Sequence, residues 1–377
     1  MLTAVSIYEE LGVTPVINAR GHNTVLGGST PSPRVKAAME RAERYYVDMA
    51  QLLERSGQII AELLGAEAAA VTPGAAAALA LGTAACITGD DLERMARLPD
   101  TTGLKREVVI QAAHHYAYER ATTIVGTTLV EAGDPAGTTA AQLEAALGPA
   151  TACVLYPAHL EGKPGTLALA EVIAIAHRRG VPVLVDAAGQ VYPLAKMTGY
   201  TRQGADLVCF GAKYIGAPNS SGILCGRADL VGPALRQGFI GFETTAERKA
   251  FGRPLKLDRQ EIIAVVVALQ EWMAMDHAAR LAGLEARLGT IARALAGLPG
   301  VSLELLRRDG AAPRLLRVAI DPATARRSAA AVIAELWRGR PAIAVGAERE
   351  ALLLNAATLW EGDEAVVAGR LRALLEA

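Results

Sequence analysis

The sequence predicts an α/β fold: a large domain with a mostly parallel sheet wrapped by helices, followed by a smaller C-terminal α+β domain. Three observations carry that expectation. From about residue 65 to 230, short apolar runs bounded by turn residues alternate with helical apolar spacing, the rhythm of strands joined by crossover helices. After about residue 255 the rhythm changes to a long helix, strands and terminal helices. The chain of 377 residues is 51% hydrophobic and 20% charged, the composition of a compact protein long enough for more than one domain.

The elements follow in order. An extended segment over residues 1–30 leads into "STPSPRVKAAMERAERYYVDMAQLLERSGQIIAELLG". Here Ser32 is the expected N-cap, Pro33 the first helical residue, and Gly65 the stop. The runs "EVVIQAA", "TTLVEAG", "TACVLYPA", "VPVLVDAA", "ADLVCF" and "SGILCG" are the expected strands of a large domain over residues 31–255. In a small domain over 256–377, beyond "FGRPLKLDRQEIIAVVVALQEWMAMD", a long helix is followed by strands at "VSLELL" and "RLLRVAI" and a helix at "SAAAVIAELWRG". Two short strands and a last helix from about Asp363 complete it. No repeat of fixed period and no low-complexity linker interrupts the chain.

Composition excludes several classes. Thirty-eight basic against 39 acidic residues give a net charge of −1, so the chain carries no overall electrostatic footprint for nucleic acid or an anionic membrane. Four cysteines, Cys86, Cys153, Cys209 and Cys225, lie in apolar segments without CxxC spacing. That pattern suits buried free thiols in a reducing compartment better than disulfides or a metal site. No leader pattern is evident and no apolar run reaches the roughly 18 residues of a membrane span. A cytoplasmic protein is expected.

Ligands of parallel α/β sheets bind beyond the carboxyl ends of the strands, so residues just after a strand are the first candidates. In "AVTPGAAAALALGTAAC" a turn at Pro73 and Gly74 feeds a helix whose opening residues are all alanine. Free N–H groups, the positive end of the helix dipole and small side chains suit a phosphate, although a plain packing helix has the same composition. "VPVLVDAAGQ" ends a buried-looking strand in Asp186. A buried carboxylate needs a cationic or hydrogen-bonding partner, whereas a helix cap or surface acid is the ordinary alternative. "DLVCFGAKYIGAPNSSG" ends the next run in Lys213 among glycines and small residues, which leave room for a ligand against the backbone. An exposed lysine is the alternative there.

Together these three match the needs of pyridoxal phosphate: a lysine for its aldehyde, an acid for its pyridine nitrogen and N–H donors for its phosphate. A carboxylate about 4 Å from the pyridinium is worth roughly 4 kcal/mol at an effective dielectric of about 20. That is about 3 in pKa, enough to keep the ring nitrogen protonated.

The chain resembles the pyridoxal-phosphate enzymes of the aspartate-aminotransferase fold (fold type I), and within them the selenocysteine-synthase-like group that includes D-glucosaminate-6-phosphate ammonia-lyase. The resemblance runs over nearly the whole length. It is carried by "PVINARGHNTVLGGSTPSPRVKAAM", the "VTPGAAAALALGTAACITG" region, "LPDTTGLKREVVIQAAHHYAYERA", "VPVLVDAAGQVYPLAKM", "GADLVCFGAKYIGAPNSSGILCGR" and "FGRPLKLDRQEI". It implies Lys213 as the Schiff-base lysine, Asp186 as the partner of the pyridine nitrogen and Ala188 beneath the ring. The backbone of Gly74, Ala75 and Ala76 is implied to hold the phosphate. His114 falls where the fold stacks a side chain over the ring, with His115 as the alternative and an ordinary turn as the bland reading. A metal site from His114, His115 and Glu119 is not expected, because no third ligand cluster is evident.

The "FGRPLK" motif implies Arg253 and Lys256 near the active site, contributed by the partner subunit of a homodimer or larger homo-oligomer. Ordinary surface or interface charges are the alternative. Thr244 and Thr245, just upstream, are candidates for a phosphate hydroxyl across the dimer. The chain departs from the lyases at Phe210-Gly211-Ala212, where they carry Ser-Gly-Gly, and at Ala217-Pro218-Asn219, where they carry Gly-Pro-Gln. It also has Val345 or Gly346 in place of an arginine, and Arg20, His22 and Asn23 where small or hydroxylic residues are usual. Those three are candidate substrate contacts. Arg20 suits bidentate pairing with a carboxylate or phosphate, or else a surface salt bridge.

The expected reaction is a lyase reaction on an amino acid, a 2-amino-3-hydroxy acid or a sugar amino acid, by α-proton abstraction and β-elimination to a 2-oxo acid and ammonia. Racemisation, aldol cleavage and transamination share the first steps. A non-enzymatic, cofactor-binding regulator or scaffold is disfavoured by the intact lysine and aspartate. A tRNA-dependent synthase is disfavoured because the family core begins almost at once, without a basic N-terminal domain, in a neutral chain.

Overall fold

Among the residues that the computed structural model describes, 6–244, 249–306 and 315–376, the alternating runs form two sheets. The strands are β1 (Val16–Ala19), β2 (Ala68–Thr72), β3 (Glu107–Gln111), β4 (Thr128–Ala132), β5 (Thr151–Pro157) and β6 (Val183–Asp186). They continue as β7 (Leu207–Gly211), β8 (Gly222–Gly226), β9 (Val301–Leu306), β10 (Leu315–Ile320), β11 (Ala342–Glu348) and β12 (Ala351–Asn355). The larger sheet has the order β2-β8-β7-β6-β5-β3-β4. β7, β6, β5, β3 and β4 pair in parallel, and β8 runs antiparallel between β2 and β7. The ends of β2, β7, β6, β5 and β3 and the start of β8 therefore meet at one edge.

The chain separates into two compact units, residues 30–274 and the remainder, which joins the chain up to Ser29 to the chain from Met275 onward. The first differs from the expected 31–255 because the helix Arg259–Ala274 packs on the helices Pro33–Glu43 and Met49–Leu64. Its Trp272 Nε1 also donates to the Val191 carbonyl at 2.9 Å. The expected separate N-terminal segment instead contributes β1, which pairs in parallel with β11. The smaller unit thus has a five-stranded sheet, β1-β11-β12-β10-β9. Its apolar face is closed by Leu284, Leu288 and Ile291 of the helix His277–Leu295 and by Val367 and Leu371 of the last helix.

The strands expected from the sequence all form, but one expected helix becomes a pair. Residues 33–64 split at Arg44–Asp48 because Asp48 caps a new helix, its Oδ1 accepting from Ala50 N at 2.8 Å and Gln51 N at 3.0 Å. Asp276 likewise caps the helix His277–Leu295, accepting from Ala279 N at 3.0 Å. A carboxylate at this position satisfies N–H groups that a continuous helix would have bonded internally.

In the larger unit the helix Ala75–Thr88 is buried along nearly its whole length. It reads as apolar on every side, as a helix enclosed by protein must. Gly82 lets it lie close to the sheet: a Cβ there would stand 3.2–3.5 Å from Leu207, Leu184 and Leu224 Cδ1. This contact fixes where the N-terminus of that helix emerges. All four cysteines are buried free thiols. No single helix among the described residues is long and apolar enough to cross a membrane.

Candidate active site

The site is assembled from strand ends. β2 stops at Thr72, and Gly74 turns the chain with φ +90°, a left-handed value that glycine adopts without strain. Thr72 Oγ1 donates to the Gly74 carbonyl at 3.1 Å. The first carbonyl used inside the helix is also that of Gly74, which accepts from Ala78 N at 3.1 Å. No side chain caps the helix, and the neighbouring start of β8 is so close that a Cβ on Gly222 would fall 2.8 Å from Ala75 N. Gly74, Ala75 and Ala76 remain partly open to solvent. Such an uncapped start, walled by backbone, is a cradle for an anion.

Lys213 follows β7 in a short 3-10 turn, Ala212–Ile215, which is tied to β8 by Ala212 N donating to the Ser221 carbonyl at 2.9 Å. Its side chain is half-buried and its Nζ lies 5.3 Å from the centre of the Tyr214 ring. Burial lowers its pKa below the ordinary lysine value, which makes the neutral amine more available. Gly211 N donates to the Ala188 carbonyl at 2.9 Å, so the turn that carries Lys213 and the loop after Asp186 are stitched together.

Asp186 ends β6 and is only 4% exposed. Its Oδ1 accepts from Ala188 N at 3.0 Å and its Oδ2 from the Tyr116 hydroxyl at 2.5 Å. Burial, then the charge of Asp186, pushes the Tyr116 pKa far up, so the phenol stays a donor. Tyr116 reaches Asp186 past the end of β5, where its ring meets that of His159 with centroids 5.1 Å apart. Desolvation lowers the His159 pKa while the charge of Asp186 works against it.

Three expected residues are thus brought to one edge: Gly74 with its helix start, Asp186 and Lys213. The two histidines behave differently. His114 is fully buried, with Nδ1 3.3 Å from Gln111 Nε2 and its ring edge-on to Tyr156 at 5.1 Å. Burial, reinforced by the nearby charge of Lys163, lowers its pKa to about 4. The ring is sealed in the protein, whereas stacking on a ligand needs an open face. His115 turns toward β4, its Nδ1 2.8 Å from Glu119 and its Nε2 3.2 Å from Glu131. No cluster of metal-ligating side chains occurs among the described residues.

Arg253 pairs with Glu243 at 3.0 Å and lies over the Phe242 ring at 5.6 Å, and Lys256 is exposed. Between them, Leu255 lines an apolar cavity with Val71, Thr72 and Pro73, so this segment runs beside the end of β2. Thr244 donates to the Ile240 carbonyl of its own helix at 2.9 Å, and Thr245 lies outside the described residues. Arg20, His22 and Asn23 belong to the smaller unit, just after β1. Arg20 is exposed, His22 half-buried, and the Asn23 side chain caps the 3-10 turn Thr24–Leu26 by accepting from Val25 N at 3.2 Å. Val345 and Gly346 lie within β11.

Sequence reasoning missed Tyr116 and His159. Tyr116 lies in "HHYAYE", beyond β3, and His159 follows "TACVLYPA" just past β5; position after a strand is the one signal for either, and it does not tell which side chain of the loop turns inward.

This edge of the sheet defines a pyridoxal-phosphate enzyme of fold type I. A model of the aminotransferase class-V family matches residues 24–282, and the chain belongs to that family. It is 36% identical over 349 residues to the 5'-C-glycyluridine monooxygenase-decarboxylase of Streptomyces sp, covering 89% of this chain and 83% of that protein. It is 30% identical over 383 residues to the D-glucosaminate-6-phosphate ammonia lyase of Salmonella typhimurium, covering 98% of each. A solved structure of D-glucosaminate-6-phosphate ammonia-lyase matches with a TM-score of 0.87, 29% identity and 99% of both chains.

The residues present fit the cofactor. The uncapped helix start offers donors without side chains in the way, and the buried carboxylate of Asp186 has two neutral donors, which leaves acceptor capacity for a third.

Proposed function

We propose that the protein is a pyridoxal-phosphate-dependent lyase that takes a 2-amino-3-hydroxy acid or a sugar amino acid, removes the α-proton, eliminates the β-substituent and releases a 2-oxo acid and ammonia. The observation that carries this reading is the convergence of Lys213, Asp186 and the Gly74 helix start on one sheet edge. It is supported by 30% identity over 98% of the Salmonella lyase. When bound, the cofactor supplies an aldehyde for amino groups and a ring that accepts the electron pair left on the α-carbon.

The chain's own residues do the rest. The N–H groups of Gly74, Ala75 and Ala76 and the helix dipole hold the phosphate. Asp186 would hold a proton at the ring nitrogen, and Ala188 would pack against the ring. Lys213 would hold the aldehyde and serve as the general base at the α-carbon; its lowered pKa brings the neutral amine toward working pH. His114 or His115 flanks the ring only if the loop after β3 rearranges, and His159 is the nearer candidate.

The active enzyme is a homodimer or larger homo-oligomer in the cytoplasm. Arg253 and Lys256 serve the neighbouring subunit's site, and Arg20, His22 and Asn23 meet the substrate. With a net charge of −1, its substrate is a small molecule and neither nucleic acid nor membrane is a partner.

A second reading is carried by the 36% identity to the Streptomyces monooxygenase-decarboxylase: the same α-carbon chemistry followed by loss of carbon dioxide and consumption of oxygen. A panel of amino acids and sugar amino acids in deuterated water separates the two. Ammonia and 2-oxo acid in equal amounts, without oxygen uptake, support the lyase. Oxygen uptake with carbon dioxide release supports the second reading, and deuterium exchange alone counts against both and favours a racemase.

A further inference from the structure

Tyr116 has no role in the proposed reaction. Its hydroxyl nevertheless makes the shorter of the two hydrogen bonds to the Asp186 carboxylate, 2.5 Å against 3.0 Å from Ala188 N. The loop that carries it is pinned independently: Glu119 Oε2 accepts from Tyr116 N at 3.0 Å and also meets His115 Nδ1 at 2.8 Å. The ring is packed against His159 on one side and faces Tyr118 at 6.2 Å. A long, fixed arm therefore runs from the end of β3, across β5, to one carboxylate oxygen on β6.

We propose that Tyr116 is a positioning residue for the ring nitrogen of the cofactor: it fixes the Asp186 carboxylate and, by donating to it, keeps the shared proton on the nitrogen. A donor to a carboxylate disperses its charge and lowers its basicity, so a proton between that carboxylate and a pyridine stays on the pyridine. Without the hydroxyl the carboxylate is freer to turn and more basic, and the proton moves toward Asp186. Asp186 touches the cofactor; Tyr116 acts through it. The inference rests on the proposed cofactor reading.

The test is equilibrium binding, with no turnover required. Purified cofactor-free enzyme, wild type and Tyr116→Phe, is titrated with pyridoxal phosphate and with its 1-deaza analogue, in which carbon replaces the ring nitrogen. The expected result is roughly tenfold weaker binding of pyridoxal phosphate by Tyr116→Phe, the scale of one hydrogen bond to a charged group, and less than about twofold change for the analogue. In an Asp186→Asn background the effect of Tyr116→Phe on pyridoxal phosphate is lost. Equal weakening of both ligands, no weakening of either, or full additivity with Asp186→Asn overturns the proposal. Failure of the wild-type enzyme to bind pyridoxal phosphate overturns the cofactor reading itself, an outcome distinct from the other three.

Discussion

Gly222 and Gly74 meet backbone to backbone: a Cβ on Gly222 would stand 2.5 Å from the Gly74 carbonyl carbon and 2.8 Å from Ala75 N. Gly222 is paired on its other side with Gly211, two residues before Lys213. One glycine thus sets the distance between the anion cradle and the lysine turn. Because the atoms it would strike are backbone, relief requires moving the helix start.

Gly222→Ala is therefore expected to lower stability by about 1–3 kcal/mol, the usual cost of overpacking, and to weaken pyridoxal phosphate binding at least tenfold. Denaturant unfolding and a fluorescence titration measure the two. An alanine variant with wild-type affinity would show that the cradle is not at Gly74.

Lys213→Ala and Lys213→Arg are expected to bind the cofactor without the visible absorption of the wild-type enzyme, since neither offers an amine. Both retain the Asp186 and Gly74 contacts, so binding weakens rather than vanishes. Absorption spectra taken during a titration distinguish these outcomes. A yellow Lys213→Ala protein identical to wild type contradicts the assignment.

His114 predicts an acid limb in stability. Its folded-state pKa is held near 4 by burial and by the charge of Lys163, against about 6.5 in an unfolded chain. Between those values the unfolded state binds more protons, so stability rises with pH. The stabilisation is fully present above about pH 6.5, is lost as pH falls to about 4, and amounts to about 3 kcal/mol. His114→Gln, which removes the titrating group, is expected to flatten this limb in urea midpoints measured from pH 4 to 7. A variant that keeps the wild-type slope contradicts an origin in His114.

Asp206 predicts the opposite separation. At the start of β7, far along the strand from Lys213, its buried carboxylate accepts from Val183 N at 2.7 Å, Arg227 Nη1 at 2.8 Å and His177 Nε2 at 2.8 Å. Removing a buried, multiply bonded carboxylate leaves its donors unsatisfied and costs about 3 kcal/mol. Asp206→Ala should lower the denaturation midpoint yet leave pyridoxal phosphate affinity within about twofold of wild type, the affinity of one remote site being independent of the other. A large loss of affinity at retained fold would link the two ends of the sheet.

The periodicity made the sheet strands legible because each is a short apolar run between turn residues, and the meeting of Gly74, Asp186 and Lys213 at one edge was legible because each follows or ends a strand. Helix interruptions were not. Arg44–Asp48 continues the helical spacing closely enough that only the capping carboxylate of Asp48 marks the break. Nor was the place of β1, whose partner β11 lies more than 300 residues away in the chain; local pattern carries no signal for such pairing. Tyr116 and His159 were obscure for a related reason, since which side chain of a loop turns inward depends on tertiary packing. His115 points at β4 and Tyr116, the next residue, at β6.

In the proposed reaction Lys213 carries the cofactor. Borohydride reduction of the loaded enzyme, followed by proteolysis and mass spectrometry, tests it most directly. A single phosphopyridoxyl group on the peptide containing Lys213 is expected; the group on another lysine, or on none while the protein remains folded, contradicts that role for Lys213.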